Sequence, residues 1–267
     1  MPAKSKFGYT SFSSATREIK KQKDLLKEQS FPAEKSKELV DRFLREKVNL
    51  PEDSLLYVVP SSTGINNLPV QIALKLKEQN PTAEIIDEYA IPLHTRSTAS
   101  KGAISKIREP NQYEVVQENL KTGRPAFVID DVVTTGESSS KIRELLETNG
   151  VKVEGVISIG MSEHRLASER DIERLAEKLG GDETLHADIK TVLGNGLKHR
   201  ANYIERESTN STEKVKNEFG NYFKTEAKRL RELDPATRER LEQFTQRARI
   251  LRFGQGEQTD VARQYRR

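Results

Sequence analysis

The chain has 267 residues, of which 34% are hydrophobic and 32% charged, and its net charge is +4. This length accommodates one large domain, or one domain with a smaller appendage, and the low apolar share predicts a modest core flanked by solvated helices. No stretch approaches the roughly 20 apolar residues of a membrane-spanning helix, and the N-terminus lacks the apolar centre of a secretory signal. Since the sequence has no cysteine, disulfides and thiolate metal sites are excluded. We expect a cytoplasmic protein.

Charge is distributed unevenly along the chain. Lys and Arg outnumber Asp and Glu by 12 to 7 in residues 1–50 and by 22 to 18 in residues 165–267, whereas residues 51–164 have 11 against 16. Basic flanks are compatible with a polyanionic partner such as a nucleic acid. Because acidic residues are interspersed with the basic ones, solvated helix faces are the simpler interpretation.

Helices are predicted at 15–29 and 33–48. After them, predicted strands and helices alternate in the middle of the chain. Short apolar runs indicate strands, and apolar residues at helical spacing indicate helices. The predicted strands lie at 54–59, within 83–93, at 126–129 and at 153–159; the predicted helices lie at 68–78, 113–120 and 138–148. This alternation is typical of an α/β fold with a central parallel sheet and helical crossovers.

The C-terminal part of the sequence is helical and polar. Helices are predicted at 168–179, 184–193, 213–233 and 236–252. The organisation expected from these patterns is a helical N-terminal extension over 1–50, an α/β core over 51–165, a charged helical region over 166–253 and a disordered tail over 254–267.

The segment that carries chemistry begins with the predicted strand Ala126–Ile129. This strand delivers two carboxylates, Asp130 and Asp131, to the carboxyl edge of the sheet, where open α/β folds bind ligands. A glycine, hydroxyl residues and a helix N-terminus follow, and backbone N–H groups there can bind a phosphate. A ligand with vicinal hydroxyls, a phosphate and a bound Mg²⁺ fits this combination.

Residues 126–138 closely resemble the phosphoribosyl pyrophosphate (PRPP) motif of the type I phosphoribosyltransferases. That motif has four mostly apolar residues, two acids, and then an apolar residue, any residue, two Ser/Thr residues, Gly, any residue and Ser/Thr; every position fits. The resemblance implies a phosphoribosyltransferase-like core in which Asp130 and Asp131 hold the ribose hydroxyls and Mg²⁺. It implies a PRPP-binding segment made of Asp130, Asp131, Val132, Val133, Thr134, Thr135, Gly136, Glu137 and Ser138.

Two further elements of that family have counterparts here. The pyrophosphate loop corresponds to Ser61, Ser62, Thr63 and Gly64, although this loop lacks the basic residue that many relatives carry. The flexible catalytic loop corresponds to residues 94–102. Its cations Arg96 and Lys101, together with Lys106, are the candidates for neutralising the departing pyrophosphate, although incidental charges on a solvated loop are an alternative for each.

The family resemblance implies displacement at ribose C1 by a nucleobase nitrogen, with Mg²⁺-bound pyrophosphate as the leaving group. Relatives that act on hypoxanthine and guanine usually carry an acid at the position of Thr134, so the sequence is more similar to orotate, adenine or competence-associated members. Dimers are common in the family, which makes a homodimer an expectation. His164 follows the last predicted strand and is a candidate for the base or pyrophosphate site; the four histidines have no metal-ligand spacing.

The alternative is a regulator that binds PRPP or a nucleotide without turnover. Its basic flanks would contact a nucleic acid or a protein partner. The missing basic residue in the Ser61–Gly64 loop and the long charged C-terminal helices favour this alternative, whereas the intact PRPP motif is compatible with both.

Overall fold

The computed structural model describes residues 33–44, 47–61, 66–93, 112–133, 136–161, 167–193, 198–209, 211–239 and 241. The strands in these ranges are β1 (Leu55–Val58), β2 (Glu84–Ile86), β3 (Ala90–Pro92), β4 (Tyr113–Val115), β5 (Ala126–Ile129), β6 (Val132–Val133), β7 (Val153–Ile157) and β8 (Gly160–Met161). The helices are α1 (Ala33–Phe43), α2 (Leu68–Gln79), α3 (Glu137–Thr148), α4 (Glu169–Lys178), α5 (Glu183–Leu193), α6 (Lys198–Thr209) and α7 (Glu213–Glu232), and residues 235–239 are also helical.

The centre of the molecule is a four-stranded sheet in the order β2-β1-β5-β7. All three strand pairings are parallel. Helix α2 connects β1 to β2, and α3 connects β5 to β7. The α/β fold with a parallel sheet and helical crossovers, predicted from the alternation of apolar patterns, is therefore confirmed.

Helices cover both faces of the sheet because alternate residues of each strand point to opposite sides. Leu56 and Val58 belong to a buried cluster with side chains of α1 and α2. Leu55 and Tyr57 belong to a second cluster, which includes side chains of α3. The central strands are buried along their whole length, as a sheet with helices on both faces requires.

The helix predicted over 113–120 is wrong. Residues Tyr113–Val115 form β4, which pairs antiparallel with β3, and a 3-10 turn follows at Gln117–Asn119. Tyr113 packs against the second buried cluster. This tertiary contact and the pairing with β3 outweigh the weak helical pattern of a short segment.

Two other elements differ from the sequence-based expectation. The candidate strand within 83–93 is two strands in two different sheets, separated by the exposed residues Asp87 and Glu88 and the buried Tyr89. Helix α6 was not predicted, since its apolar pattern is thin: among its described side chains, the buried hydrophobic ones are Ala201 and Ile204.

Helices α4 to α7 have a hydrophobic cluster of their own, centred on Leu175, Ile189, Phe219 and Phe223. Helix α4 begins with a capping box, in which the Ser168 hydroxyl accepts from the Asp171 N–H and the Asp171 carboxylate accepts from the Ser168 N–H. This confirms the start predicted at Ser168. Among the described helices, none has the length and apolar character needed to cross a membrane.

Candidate functional site

The candidate site lies where the carboxyl ends of β1 and β5 meet. These strands are neighbours in the sheet, and the chain leaves them in opposite directions: from β1 towards β2 at one edge and from β5 towards β7 at the other. Such a reversal leaves a crevice outside the strand ends, and open α/β sheets bind ligands there. Asp130 and Asp131 follow β5 directly at this point.

The backbone of the two aspartates is held by hydrogen bonds to the neighbouring strand. The Asp130 N–H donates to the Ile157 carbonyl at 3.0 Å, and the Asp131 carbonyl accepts from the N–H groups of Ile159 and Gly160 at 3.2 and 3.3 Å. Strand β6, which contains Val132 and Val133, then pairs parallel with β8. The aspartate pair therefore lies between two segments of regular pairing, which restricts where its carboxylates can move.

Both carboxylates are nearly buried, with Asp130 8% and Asp131 7% exposed. Asp131 Oδ1 accepts from the Val132 N–H at 2.7 Å, and its Oδ2 accepts from Asn66 Nδ2 at 3.0 Å. Asp130 Oδ1 accepts from the Asp131 N–H at 2.9 Å. These hydrogen bonds hold the two carboxylates in defined orientations.

Asn66 is a site residue that the sequence analysis did not single out. Its Nδ2 donates to Asp131, its Oδ1 accepts from the Leu68 N–H at 3.3 Å, and its own N–H donates to Ser61 Oγ at 3.3 Å. The side chain thus connects the loop after β1 to the residue after β5. The bond from Leu68 to the Asn66 side chain is an Asx-type turn at the start of α2, and an Asn between a buried strand and a helix with an early proline is the sequence signal for it.

The segment after the aspartates leads into the N-terminus of α3. Gly136 is the N-cap and has a φ of 74°, a left-handed conformation that glycine adopts without the strain of a Cβ. Its carbonyl accepts from the Ser140 N–H at 2.9 Å and from Ser139 Oγ at 3.2 Å. Glu137 is the first helical residue, and Ser138, in the first turn, is half-buried. The glycine therefore sets the direction in which the chain enters the helix.

Tyr89 lies in the cluster beneath the site with a fully buried side chain. Its hydroxyl has no hydrogen-bond partner among the described residues, and its ring meets that of Tyr57 edge-on, with centroids 4.8 Å apart. Burial raises the pKa of Tyr89 well above its ordinary value, and the charge of Asp130 raises it further. Tyr89 is therefore a neutral phenol.

Charged residues connect α3 to α7 on the side away from the sheet. Arg229 forms a two-pronged ion pair with Glu144 and a further pair with Glu226, which also accepts from Lys141 Nζ at 3.0 Å. Burial alone would raise the pKa of Glu226, but hydrogen bonds from Arg229 and the charge of Lys141 lower it to about 2. Glu226 is therefore ionised at neutral pH, and its ion pairs, with that of Glu144, connect α3 to α7.

Several predicted site residues lie outside the described ranges. They are Ser62, Thr63, Gly64, Arg96, Lys101, Lys106, Thr134, Thr135 and His164. Ser61 lies in the loop after β1, and Asp130 and Asp131 directly follow β5. Asn66 hydrogen-bonds to Ser61 and to Asp131 and so connects the two. Within the described residues there is no group of three His, Cys, Asp or Glu side chains suited to holding a metal.

Comparisons with known proteins do not identify a relative. No model of a known protein family matches the chain, and neither curated proteins nor solved structures provide a match. Any assignment of function therefore depends on the residues and the geometry described above.

Proposed function

We propose that the chain is a phosphoribosyltransferase that uses Mg²⁺-bound PRPP to ribosylate a nucleobase, with release of pyrophosphate. The observation that carries this proposal is the pair of oriented, nearly buried carboxylates of Asp130 and Asp131 in the crevice between β1 and β5. A left-handed glycine and a helix N-terminus follow within the same short segment. Carboxylates supply acceptors for hydroxyls, and the helix terminus supplies donors for a phosphate.

In this proposal, the aspartates accept hydrogen bonds from the 2′- and 3′-hydroxyls of the ribose. Buried carboxylates that already have fixed partners are suited to that role, because they lose little freedom when a ligand binds. The N–H groups at the start of α3 and the hydroxyl of Ser138 would bind the 5-phosphate, with Thr134 and Thr135 completing the segment. Anions are stabilised at a helix N-terminus by the helix dipole.

The residues fit a Mg²⁺ ion that arrives with its substrate. Mg²⁺ is usually held by one or two carboxylates together with substrate phosphates and water, rather than by a full set of protein ligands. Asp130 and Asp131 provide two carboxylates, and among the described residues no third His, Cys, Asp or Glu side chain completes a metal-binding group with them. When bound, the ion would supply positive charge to the pyrophosphate group.

The reaction forms a bond from a nucleobase nitrogen to ribose C1 and breaks the bond from C1 to the pyrophosphate oxygen. The electron pair of the broken bond leaves with pyrophosphate, and the proton on the attacking nitrogen is lost from the base. The chain would contribute positioning of the ribose and its phosphate, and Arg96 and Lys101 would neutralise the leaving group. Thr134, in place of an acid, favours orotate or adenine over hypoxanthine or guanine.

A non-catalytic sensor of PRPP or a nucleotide is the second candidate. The observation that favours it is the loop Ser61–Gly64, which has no basic residue for pyrophosphate. Both candidates need the same aspartate pair, so binding and turnover have to be measured separately.

Calorimetric titration of Mg²⁺-PRPP into the wild type and into Asp130→Asn/Asp131→Asn tests the site. We expect saturable binding to the wild type and at least tenfold weaker binding to the double variant, because an amide nitrogen cannot accept from a hydroxyl. Asp87→Asn is the control, since Asp87 is an exposed carboxylate that follows the neighbouring strand β2. Unchanged binding in a folded double variant would disprove the proposed site.

Pyrophosphate release in the presence of single bases distinguishes the two candidates. Release that depends on one base and is lost in the double variant would support the transferase. PRPP binding without release for any of orotate, adenine, guanine, hypoxanthine and uracil would favour the sensor.

A further inference from the structure

The exposed side of α7 carries amines, amides and a hydroxyl, with no fully exposed carboxylate between the ends of the helix. Six exposed residues recur at spacings of one to four and lie on one side of the helix: Lys214, Asn217, Asn221, Lys224, Thr225 and Lys228. We call these six residues the basic face. The exposed acids of this helix, Glu213 and Glu232, are its first and last residues.

The other sides of α7 are already occupied. Phe219, Phe223 and Ala227 are buried in the cluster of the C-terminal helices. Glu226 is engaged with Lys141 and Arg229 in the charged cluster towards α3. Apolar contacts and ion pairs thus involve these other sides of the helix, whereas the basic face is exposed to solvent.

The lysines of the basic face are largely uncompensated. Lys214 and Lys224 form no ion pair with any residue that the structure describes. Lys228 lies 3.8 Å from Glu232, and the two side chains are 77% and 65% exposed. An exposed ion pair of this kind contributes little to stability, and the lysine can readily pair with another anion instead.

We propose that the basic face of α7 binds the phosphodiester backbone of a nucleic acid without reading its sequence. From Lys214 to Lys228 the helix rises about 21 Å, a distance over which one strand of B-DNA carries about six phosphates. Asn217 and Asn221 lie between the lysines and supply amide donors, which commonly contact phosphate oxygens and sugars. The chemistry of the face therefore matches a regularly spaced polyanion.

An anionic membrane fits this surface less well. Helices that lie in a membrane interface insert apolar side chains beside their basic residues. Here Phe219, Phe223 and Ala227 of α7 are buried in the protein, and no large hydrophobic residue belongs to the basic face. The inference does not depend on the proposed PRPP site, which involves different residues.

Fluorescence anisotropy with a labelled DNA duplex of about 20 base pairs, at several salt concentrations, tests the proposal. The full-length chain is compared with Lys214→Gln/Lys224→Gln/Lys228→Gln and with the control Lys77→Gln/Lys152→Gln/Lys178→Gln, which removes three exposed lysines elsewhere. We expect at least tenfold weaker binding of the first variant at about 50 mM salt. Each lost phosphate contact should also reduce the salt slope by about 0.9.

The control variant should retain its affinity within about a factor of three, and Asp131→Asn should bind the duplex as the wild type does. Equal losses in both triple variants would overturn the proposal, because they would show a diffuse effect of net charge. It would also be overturned by a wild type that fails to bind the duplex at low salt, or that binds phosphatidylserine vesicles instead.

Discussion

Asn66 donates a hydrogen bond from Nδ2 to Asp131 Oδ2 at 3.0 Å, across 65 residues of sequence. The bond joins the loop after β1 to the residue after β5, the two strands between which the chain changes direction. Because Asp131 is nearly buried, this hydrogen bond helps to hold its carboxylate in one orientation. The Asp131 side chain thus makes both the structural hydrogen bond with Asn66 and the proposed contact with the ribose.

Asn66→Ala should weaken the binding of Mg²⁺-PRPP by roughly tenfold, since Asp131 loses a partner and gains rotational freedom. The free energy of unfolding should fall by about 1 kcal/mol, because the Leu68 N–H also loses its acceptor. Calorimetry and urea unfolding measure the two effects.

The matched control for Asn66→Ala is Asn119→Ala. Asn119 Nδ2 donates to the Glu88 carbonyl at 2.8 Å, away from the crevice. That variant should lose comparable stability and keep its affinity. If both variants lost affinity alike, Asn66 would act through stability alone.

Gly136→Ala should reduce both stability and PRPP affinity. The φ of 74° costs a residue with a Cβ about 1 kcal/mol, and the N–H groups at the start of α3 would shift as the turn relaxes. Gly150→Ala tests the same strain after the other end of α3, at a φ of 80° with open space around the added Cβ. It should lose similar stability and bind normally. Normal PRPP binding by Gly136→Ala would show that the N-terminus of α3 does not bind the phosphate.

The strands of the central sheet could be predicted from the sequence, but the contacts between the loops that follow them could not. Strand β5 was predictable because Ala126–Ile129 is a short apolar run before two acids, and a fully buried strand is apolar on both faces. The partner of Asp131 was not predictable, since no local pattern indicates which of several loop residues will reach a strand 65 positions away. The helix prediction that included Tyr113–Val115 was wrong for the same reason, because the pairing of this segment with β3 decides its conformation.

Tyr89→Phe should leave stability unchanged or raise it by about 1 kcal/mol. The Tyr89 hydroxyl is buried without a partner among the described residues, and an unsatisfied buried hydroxyl is destabilising. Tyr57→Phe is the comparison, because the Tyr57 hydroxyl donates to the Lys121 carbonyl at 2.7 Å and accepts from the Lys121 N–H at 2.9 Å. That variant should lose about 1–3 kcal/mol in urea unfolding. The reverse order would show that Tyr89 has a partner in solution.

Glu226→Gln should lower the free energy of unfolding by about 1–3 kcal/mol at pH 7. Burial opposes the ionised form of Glu226, but Arg229 and Lys141 together lower its pKa from 4.5 to about 2. A carboxyl with a lowered pKa in the folded state stabilises the protein above the unfolded value, and this contribution is lost as the pH falls from about 4.5 towards 2. The difference between wild type and variant should therefore be largest at neutral pH and shrink below pH 4.5.

Urea unfolding at pH 7 and at about pH 3 measures the Glu226 effect. Glu232→Gln is the control, since Glu232 is 65% exposed in its pair with Lys228 and should change stability by less than about 0.5 kcal/mol at either pH. A loss for Glu226→Gln that did not depend on pH would mean that the side chain contributes packing rather than charge. A loss confined to neutral pH would show that the ion pairs between α3 and α7 hold the C-terminal helices against the α/β core.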